Sequence, residues 1–483
     1  MGWPLTGLAL SAASLLTVFA IREDLRDVAV PLVVLLNTAL WFLLVLARRD
    51  GAPPILEIGP VCLGFTLMYA AYPLAGYIVS DGAWSALTDN RLQRWSPDAR
   101  ELGAFAWRYV VYVGAFALAY LVVRPRDRRP LARVRGPSGA ETAVIVWLAL
   151  ATLTYFSALW VLFGVSYNPS YEDVRLGVIG LPRDLPLLQQ QISHNLRGML
   201  MLLKLCGVAI LLQQWRSPLA KGALVGWLAL EVFATALRMG ARTDTVFLLL
   251  AAILLYHRLV RPLTFKAVAA AGTVLLISAL AYGVARDFRH SGGPASTRAY
   301  GTAANEFQIL MGTAFDLHKR QETGALDPVP WQVHLNEPLM LVPSQLLPFP
   351  KIDPSEWYLR QVGLDPAQIG LMFGVMSQAV VGRDWIELAL RGLLLGGLFA
   401  ALHAVYLRHS HSFWWTIFYL YLCLWSYYTM RASTFYFVYF VVYRFIPTFI
   451  AITAGAAIVR RALRPHRASG NEAIPRPLSP STS

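Results

Sequence analysis

The stretch RMGARTD (238–244) sets two arginines, Arg238 and Arg242, four positions apart around a glycine, between the apolar runs LVGWLALEVFATAL and TVFLLLAAILLY. A second pair, Arg286 and Arg289, opens ARDFRHSGGPASTR (285–298), where Asp287 and His290 stand beside it and Arg298 closes the stretch. Arg431 lies in the short segment MRAST (430–434). Guanidinium stays charged and can grip a phosphate or carboxylate through two parallel hydrogen bonds. Such a cluster suits a pyrophosphate at a membrane surface. The plainer role, for any one of these arginines, is a helix end reaching lipid headgroups.

Charged residues also fall inside apolar runs: Glu57, Arg108, Lys204, Glu231, Glu387, Arg391 and Arg444. Burying charge in lipid is costly, so these are expected to face the interior and pair. Glu231 and Arg238 are two helical turns apart on one face, and Glu387 and Arg391 have i,i+4 spacing. A proton or ion pathway is the sharper alternative. The chain contains no phosphate loop, no D-x-D, no H-E-x-x-H and no G-x-S-x-G. His409 and His411 in RHSHS are two ligands at most, too few to hold zinc, and no metal site is expected.

The elements that must position these groups are hydrophobic. Of 483 residues, 56% are hydrophobic and 14% charged, where a soluble domain carries about a quarter charged. Mean hydropathy is +0.49. The apolar runs are continuous and do not alternate with period two, which argues against a barrel. Cys62, Cys206 and Cys423 sit inside such runs and read as small core residues. The composition and patterning predict an all-α polytopic membrane protein with no nucleic-acid partner.

About twelve spans are expected, over 4–20, 28–47, 55–80, 102–123, 143–166, 198–215, 219–237, 244–257, 267–284, 386–407, 413–429 and 435–459. The basic segments RRD (48–50), RPRDRRPLARVRG (124–136), HRLVRPLTFK (257–266) and RRALRPHR (460–467) fall on one side if the chain starts inside. Short basic loops stay cytoplasmic, so both termini are expected there. Residues 1–284 then carry spans 1–9, 285–385 form a large extracytoplasmic loop, 386–459 carry spans 10–12, and 460–483 form a Pro/Ser-rich disordered tail.

Within the large loop, Tyr300, Ala303, Phe307, Leu310, Met311 and Ala314 recur at helical spacing, with Thr302, Asn305, Thr313 and Asp316 on the other side. This predicts an amphipathic helix, with the Glu306 carboxylate beside the apolar stripe and free to face a cleft. Seven prolines between 328 and 354, with Trp331, Phe349 and Trp357 nearby, predict an irregular lid.

A G-x-R hinge (Gly240, Arg242), a large outer loop opening on arginines, the proline-rich LVPSQLLPFPKI and a late arginine in SYYTMRAS occur in that order. In this order the chain resembles the Wzy-type O-antigen and oligosaccharide repeat-unit polymerases, related to the O-antigen ligases within the glycosyltransferase C superfamily. The resemblance covers residues 140–460 as architecture, and the family's G-S-R-G-like hinge stands here as G-A-R-T. It implies an inverting, metal-independent glycosyltransferase without cofactor in the inner (cytoplasmic) membrane. Donor and acceptor would be glycans on polyprenyl pyrophosphate, and a chain-length regulator and a flippase would be partners. Arg238, Arg242, Arg286, Arg289, Arg298 and Arg431 would hold the pyrophosphate, and His290, Glu306 or Asp287 would act as base. The rivals are an O-antigen ligase, a polyprenyl-phosphate-sugar glycosyltransferase using Glu23 or Asp24, and a non-enzymatic transporter.

Overall fold

The computed structural model describes residues 2–50, 57–82, 95, 97–125, 132–164, 186–238, 242–264, 267, 298–365 and 373–463. All regular structure among them is helical. The helices are α1 (Gly2–Ala20), α2 (Arg26–Asp50), α3 (Ile58–Val79), α4 (Ala99–Val123), α5 (Gly139–Phe163), α6 (Leu187–Gln213), α7 (Pro218–Arg238) and α8 (Arg242–Leu259). After these come α9 (Arg298–Glu322), α10 (Trp331–Leu335), α11 (Pro354–Gln361), α12 (Gly374–Val381), α13 (Trp385–His409), α14 (Phe413–Trp425) and α15 (Tyr428–Arg431). The last are α16 (Phe437–Phe440), a π-helical turn (Val441–Phe445) and α17 (Ile446–Ala462).

Seven described helices are long and apolar enough to cross a membrane. The chain is an all-α membrane protein. The expected spans at 219–237, 244–257 and 413–429 fall on α7, α8 and α14, which are not among those seven, and 267–284 lies outside the described residues. The Pro/Ser-rich tail from 464 onward lies outside them too.

The basic segments meet at one end. Arg49 Nη1 donates to the carbonyl of Leu121 over 2.8 Å, and the Arg135 amide donates to the carbonyl of His411 over 2.9 Å. Arg258, in the last turn of α8, donates to the carbonyls of Ala132 and Ser410. Glu141 at the start of α5 accepts from Trp414 Nε1 and feels the charge of Arg460 near the end of α17. This basic end is closed by Glu57, which accepts from Arg124 over 2.6 and 2.8 Å and from Tyr120 Oη over 2.9 Å. Tyr419 Oη accepts from the Ile58 amide and contacts His403 Nδ1 at 2.7 Å, so α3, α4, α13 and α14 share one buried polar knot.

The centre of the bundle is a parallel pair, α4 and α13, made possible by glycine. A Cβ on Gly392 would stand 2.5 Å from the carbonyl oxygen of Tyr112, and one on Gly396 would stand 2.3 Å from that of Phe116. Small residues four apart let two backbones approach where lipid offers no hydrophobic drive for association. Gly396→Val is therefore expected to destabilise by more than the usual ~1–3 kcal/mol of overpacking, because a backbone carbonyl cannot rotate away. Gly397→Val, whose Cβ would meet only Val123 Cγ2 at 3.9 Å, is expected to be tolerated. Thermal unfolding of both variants in detergent checks this pair.

At the opposite end, α9 to α12 form a cap. Helix α9 appears where the periodicity places it, ends in a left-handed Gly324 (φ 66), and packs Phe307 on Tyr69 and Tyr72 and Phe315 on Phe105. Its second face is not solvated as an amphipathic helix would have it. Thr313 and Asp316 are fully buried, and Tyr358 of α11 donates to Asp316 over 2.7 Å while Arg320 pairs with it at 2.6 Å. The prolines do cap and stiffen: Pro330 precedes α10, and Pro354 opens α11 behind the N-cap Asp353. Trp331 is half exposed and packs edge-on against Phe349, whereas Trp357 is buried.

Candidate functional site

Ionisable side chains inside a membrane bundle are expected to find partners, and nearly all of them here do. Glu57 holds Arg124, as described. Arg108 holds Asp384 through two bonds of 2.7 and 2.8 Å, with its guanidinium 4.9 Å from the Phe105 ring centre and 4.8 Å from that of Trp385. Glu231 pairs with Lys204 of α6 at 2.6 Å; the Arg238 side chain, two turns along its own helix, is not among those described. Arg391 binds Glu387 at 2.7 Å, Glu337 of the cap, and Thr434 Oγ1 at 2.9 Å. Glu337 also accepts from the Phe435 amide, so the cap is tied to the hairpin that carries Arg431.

Arg444 is the exception. Among the described residues its guanidinium has no carboxylate and no hydrogen-bond partner, and its Nε is buried without one. The expectation that it pairs therefore fails. It sits instead in the π-helical turn, 4.7 Å from the Phe440 ring centre and 5.6 Å from that of Trp425. A π-turn inserts one extra residue and re-aims the side chains around it, and such turns are frequent at functional sites. Arg444 also packs on Gly198 of α6, where a Cβ would stand 3.1 Å from its Cγ. Glycine at 198 makes room for it.

Other charges gather around this residue. The Asp244 carboxylate, in the first turn of α8, lies in the field of Lys204, Arg197 and Arg444, with Glu231 adding a negative charge. His194, one turn before Arg197 on α6, lies in the field of both Arg444 and Arg197. Asp244 is half-buried and forms no ion pair with these cations among the described residues. Since α8 ends at the basic end through Arg258, its first turn places this cluster toward the opposite end, on the side of the cap.

No family model, curated protein or solved structure matches this chain. The site therefore has to be read from its own chemistry.

Of the residues that the sequence singles out, Arg238 ends α7 and Arg242 begins α8, two positions before Asp244, so both helix ends border the cluster. Arg298 begins α9 and Glu306 lies on it. These four are placed by their backbone alone. Arg286, Asp287, Arg289 and His290 lie outside the described residues. Arg431 is described: it donates to Tyr427 Oη over 2.9 Å and lies 5.4 and 5.7 Å from the ring centres of Tyr427 and Tyr428. Tyr428 in turn packs on Phe440 at 4.8 Å and on Trp425 at 5.3 Å, so one aromatic cluster carries Arg431 at one edge and Arg444 at another. In the cap, burial and the Arg108 guanidinium hold the His318 imidazole below its ordinary range, so it is neutral at pH 7.

The sequence offered a signal for Arg444. No aspartate or glutamate occurs between Glu387 and Glu472, so the last two expected spans contain no acid to neutralise it. Arg197 and Asp244 carried no such mark, since both sit at span ends where charge is ordinary.

Proposed function

We propose that this protein is an inverting glycosyltransferase that polymerises oligosaccharide repeat units carried on polyprenyl pyrophosphate. The work would take place at the outer face of the cytoplasmic membrane, with both termini inside, in the synthesis of a surface polysaccharide. The observation that carries this reading is Arg444, a guanidinium left without a carboxylate in an aromatic bed, with Arg197 and Lys204 nearby. A cation that closes onto no carboxylate among the described residues is an open position for an anion, and its depth in the bundle suits an anion that arrives on a lipid.

In such a reaction an acceptor hydroxyl attacks the anomeric carbon as the pyrophosphate departs. Negative charge grows on the leaving oxygen, and fixed cations in a water-poor site stabilise it without reorganising. Arg444 would take that role, with Arg197 and the helix-end arginines Arg238 and Arg242 completing the hold. Arg286, Arg289, Arg298 and Arg431 would add to that hold. The cap, tied down through Glu337 and Arg391, would cover the sugars and hold water away.

Deleting the gene from its host is expected to leave single repeat units on the lipid carrier, seen as one band of extracted lipid-linked glycan. Long glycans stranded on the carrier would show a ligase instead. Intact precursor confined to the cytoplasmic leaflet would show a flippase.

A further inference from the structure

We propose that the groove between α1, α2 and α4 is a binding site for one anionic phospholipid, with an acyl tail in the groove and the phosphate at Arg49. The site stands whether or not the chain transfers sugars.

The groove has a volume of about 510 Å³, within the range of roughly 300–1,000 Å³ usual for a small-molecule site. Its walls are Ser11 and Leu15 of α1, one face of α2 from Val34 to Val45, and Ala117 and Leu121 of α4. The polar side chains along it bond to the walls themselves. Trp41 Nε1 donates to Ser11 Oγ over 3.1 Å, and Asn37 Nδ2 donates to Ser14 Oγ over 3.0 Å. Thr38 Oγ1 turns back to the carbonyl of Val34 over 2.8 Å. The surface left to an occupant is therefore hydrocarbon, which suits a tail and gives a sugar little to bond. Leu15 on the rim is 51% exposed, so the groove is open along that side.

Charge and length decide which lipid fits. Val34, Thr38, Trp41 and Val45 form one stripe of α2, and Arg49 is the next position on it, one turn beyond Val45. Arg49 Nη1 donates over 2.8 Å to the carbonyl of Leu121, which lines the same end of the groove from α4. Arg48 beside it is exposed, and Glu57, the carboxylate at this end, closes onto Arg124 instead. A phosphate at the end of the stripe would meet both arginines. Basic pockets between spanning helices take anionic headgroups in this way. From Val34 to Val45 the helix rises about 17 Å, close to half of the ~30 Å hydrocarbon core. That is the depth of one acyl chain in one leaflet, and a polyprenyl chain is far longer.

The test uses the full chain in mixed micelles with equimolar phosphatidylglycerol, which is anionic, and phosphatidylethanolamine, which is zwitterionic. Native mass spectrometry is expected to show phosphatidylglycerol retained on the chain with a preference of about tenfold or more, the combined pull of two arginines. Arg49→Gln keeps the apolar walls and should lower that preference about fivefold, the share of one arginine. Val45→Trp fills the groove and should abolish retention. A phosphatidylglycerol with a photoreactive group midway along one tail should label the wild-type chain within 11–15, 34–45 or 117–121, which fixes the position even where Val45→Trp fails to fold. Equal retention of the two lipids by the wild type would overturn the proposal. Full retention by a folded Val45→Trp, or labels confined to other helices, would do the same. Polyprenyl phosphate recovered in place of the phospholipid, or a lipid-free dimer closed through this groove, would overturn it in favour of that occupant.

Discussion

Arg444→Ala is expected to lower chain extension by about 10²–10³-fold while the protein remains folded and inserted. The magnitude is that of removing one preorganised donor from a charge-stabilising site. The fold should survive because Arg444 makes no hydrogen bond or ion pair that the bundle depends on among the described residues; it loses its contacts with Phe440 and Trp425 and its packing on Gly198. Contacts of this type contribute about 0.5–2 kcal/mol, less than an ordinary core truncation. Arg444→Lys keeps the charge but not the planar fork, so it should recover part of the rate. Extension of extracted repeat units, read beside the thermal midpoint in detergent, separates the two effects. An alanine variant that extends normally removes the main support for an anion at this position.

The second large effect is expected at the other end of the molecule and on stability. Arg124→Leu leaves Glu57 buried with only Tyr120 and the nearby His403 to meet it. The Arg124 and Glu57 side chains are 4% and 7% exposed, so water cannot take over the lost bonds. Breaking a buried pair from one side costs about 3–5 kcal/mol, whereas replacing both partners can be nearly neutral. The double variant Glu57→Gln with Arg124→Leu should therefore be more stable than Arg124→Leu alone. Denaturation in mixed micelles checks the order. Equal stability of the single and double variants would show that the uncompensated Glu57 charge is not the cause.

The helical membrane class, the meeting of the basic segments at one end and the helix over 298–322 were legible because each follows from a local property: run length, loop charge or a period of 3.6. The pairing of charges was legible only in part. Glu387 and Arg391 are neighbours on one helix, so spacing revealed them. Glu231 pairs with Lys204 on another helix, and no period reports which helix lies alongside. The same limit explains the buried Asp316, whose helix face reads as polar until Tyr358, 42 positions later, covers it. Arg444 shows the converse. What marked it was the lack of acids around it, a property of a whole stretch and not of any motif.

The glycine-lined pairing of α4 with α13 also has a temporal side. Arg108 and Asp384 are 276 positions apart, and the Ile58 amide meets Tyr419 across 361. During synthesis the early helices enter the bilayer long before the ones they close against, and such high contact order makes closure a late event. Until α13 emerges, Arg108 has neither its carboxylate nor the Trp385 ring. A nascent chain stalled before that point therefore carries an open charge in the bilayer, a defect that membrane quality control could recognise.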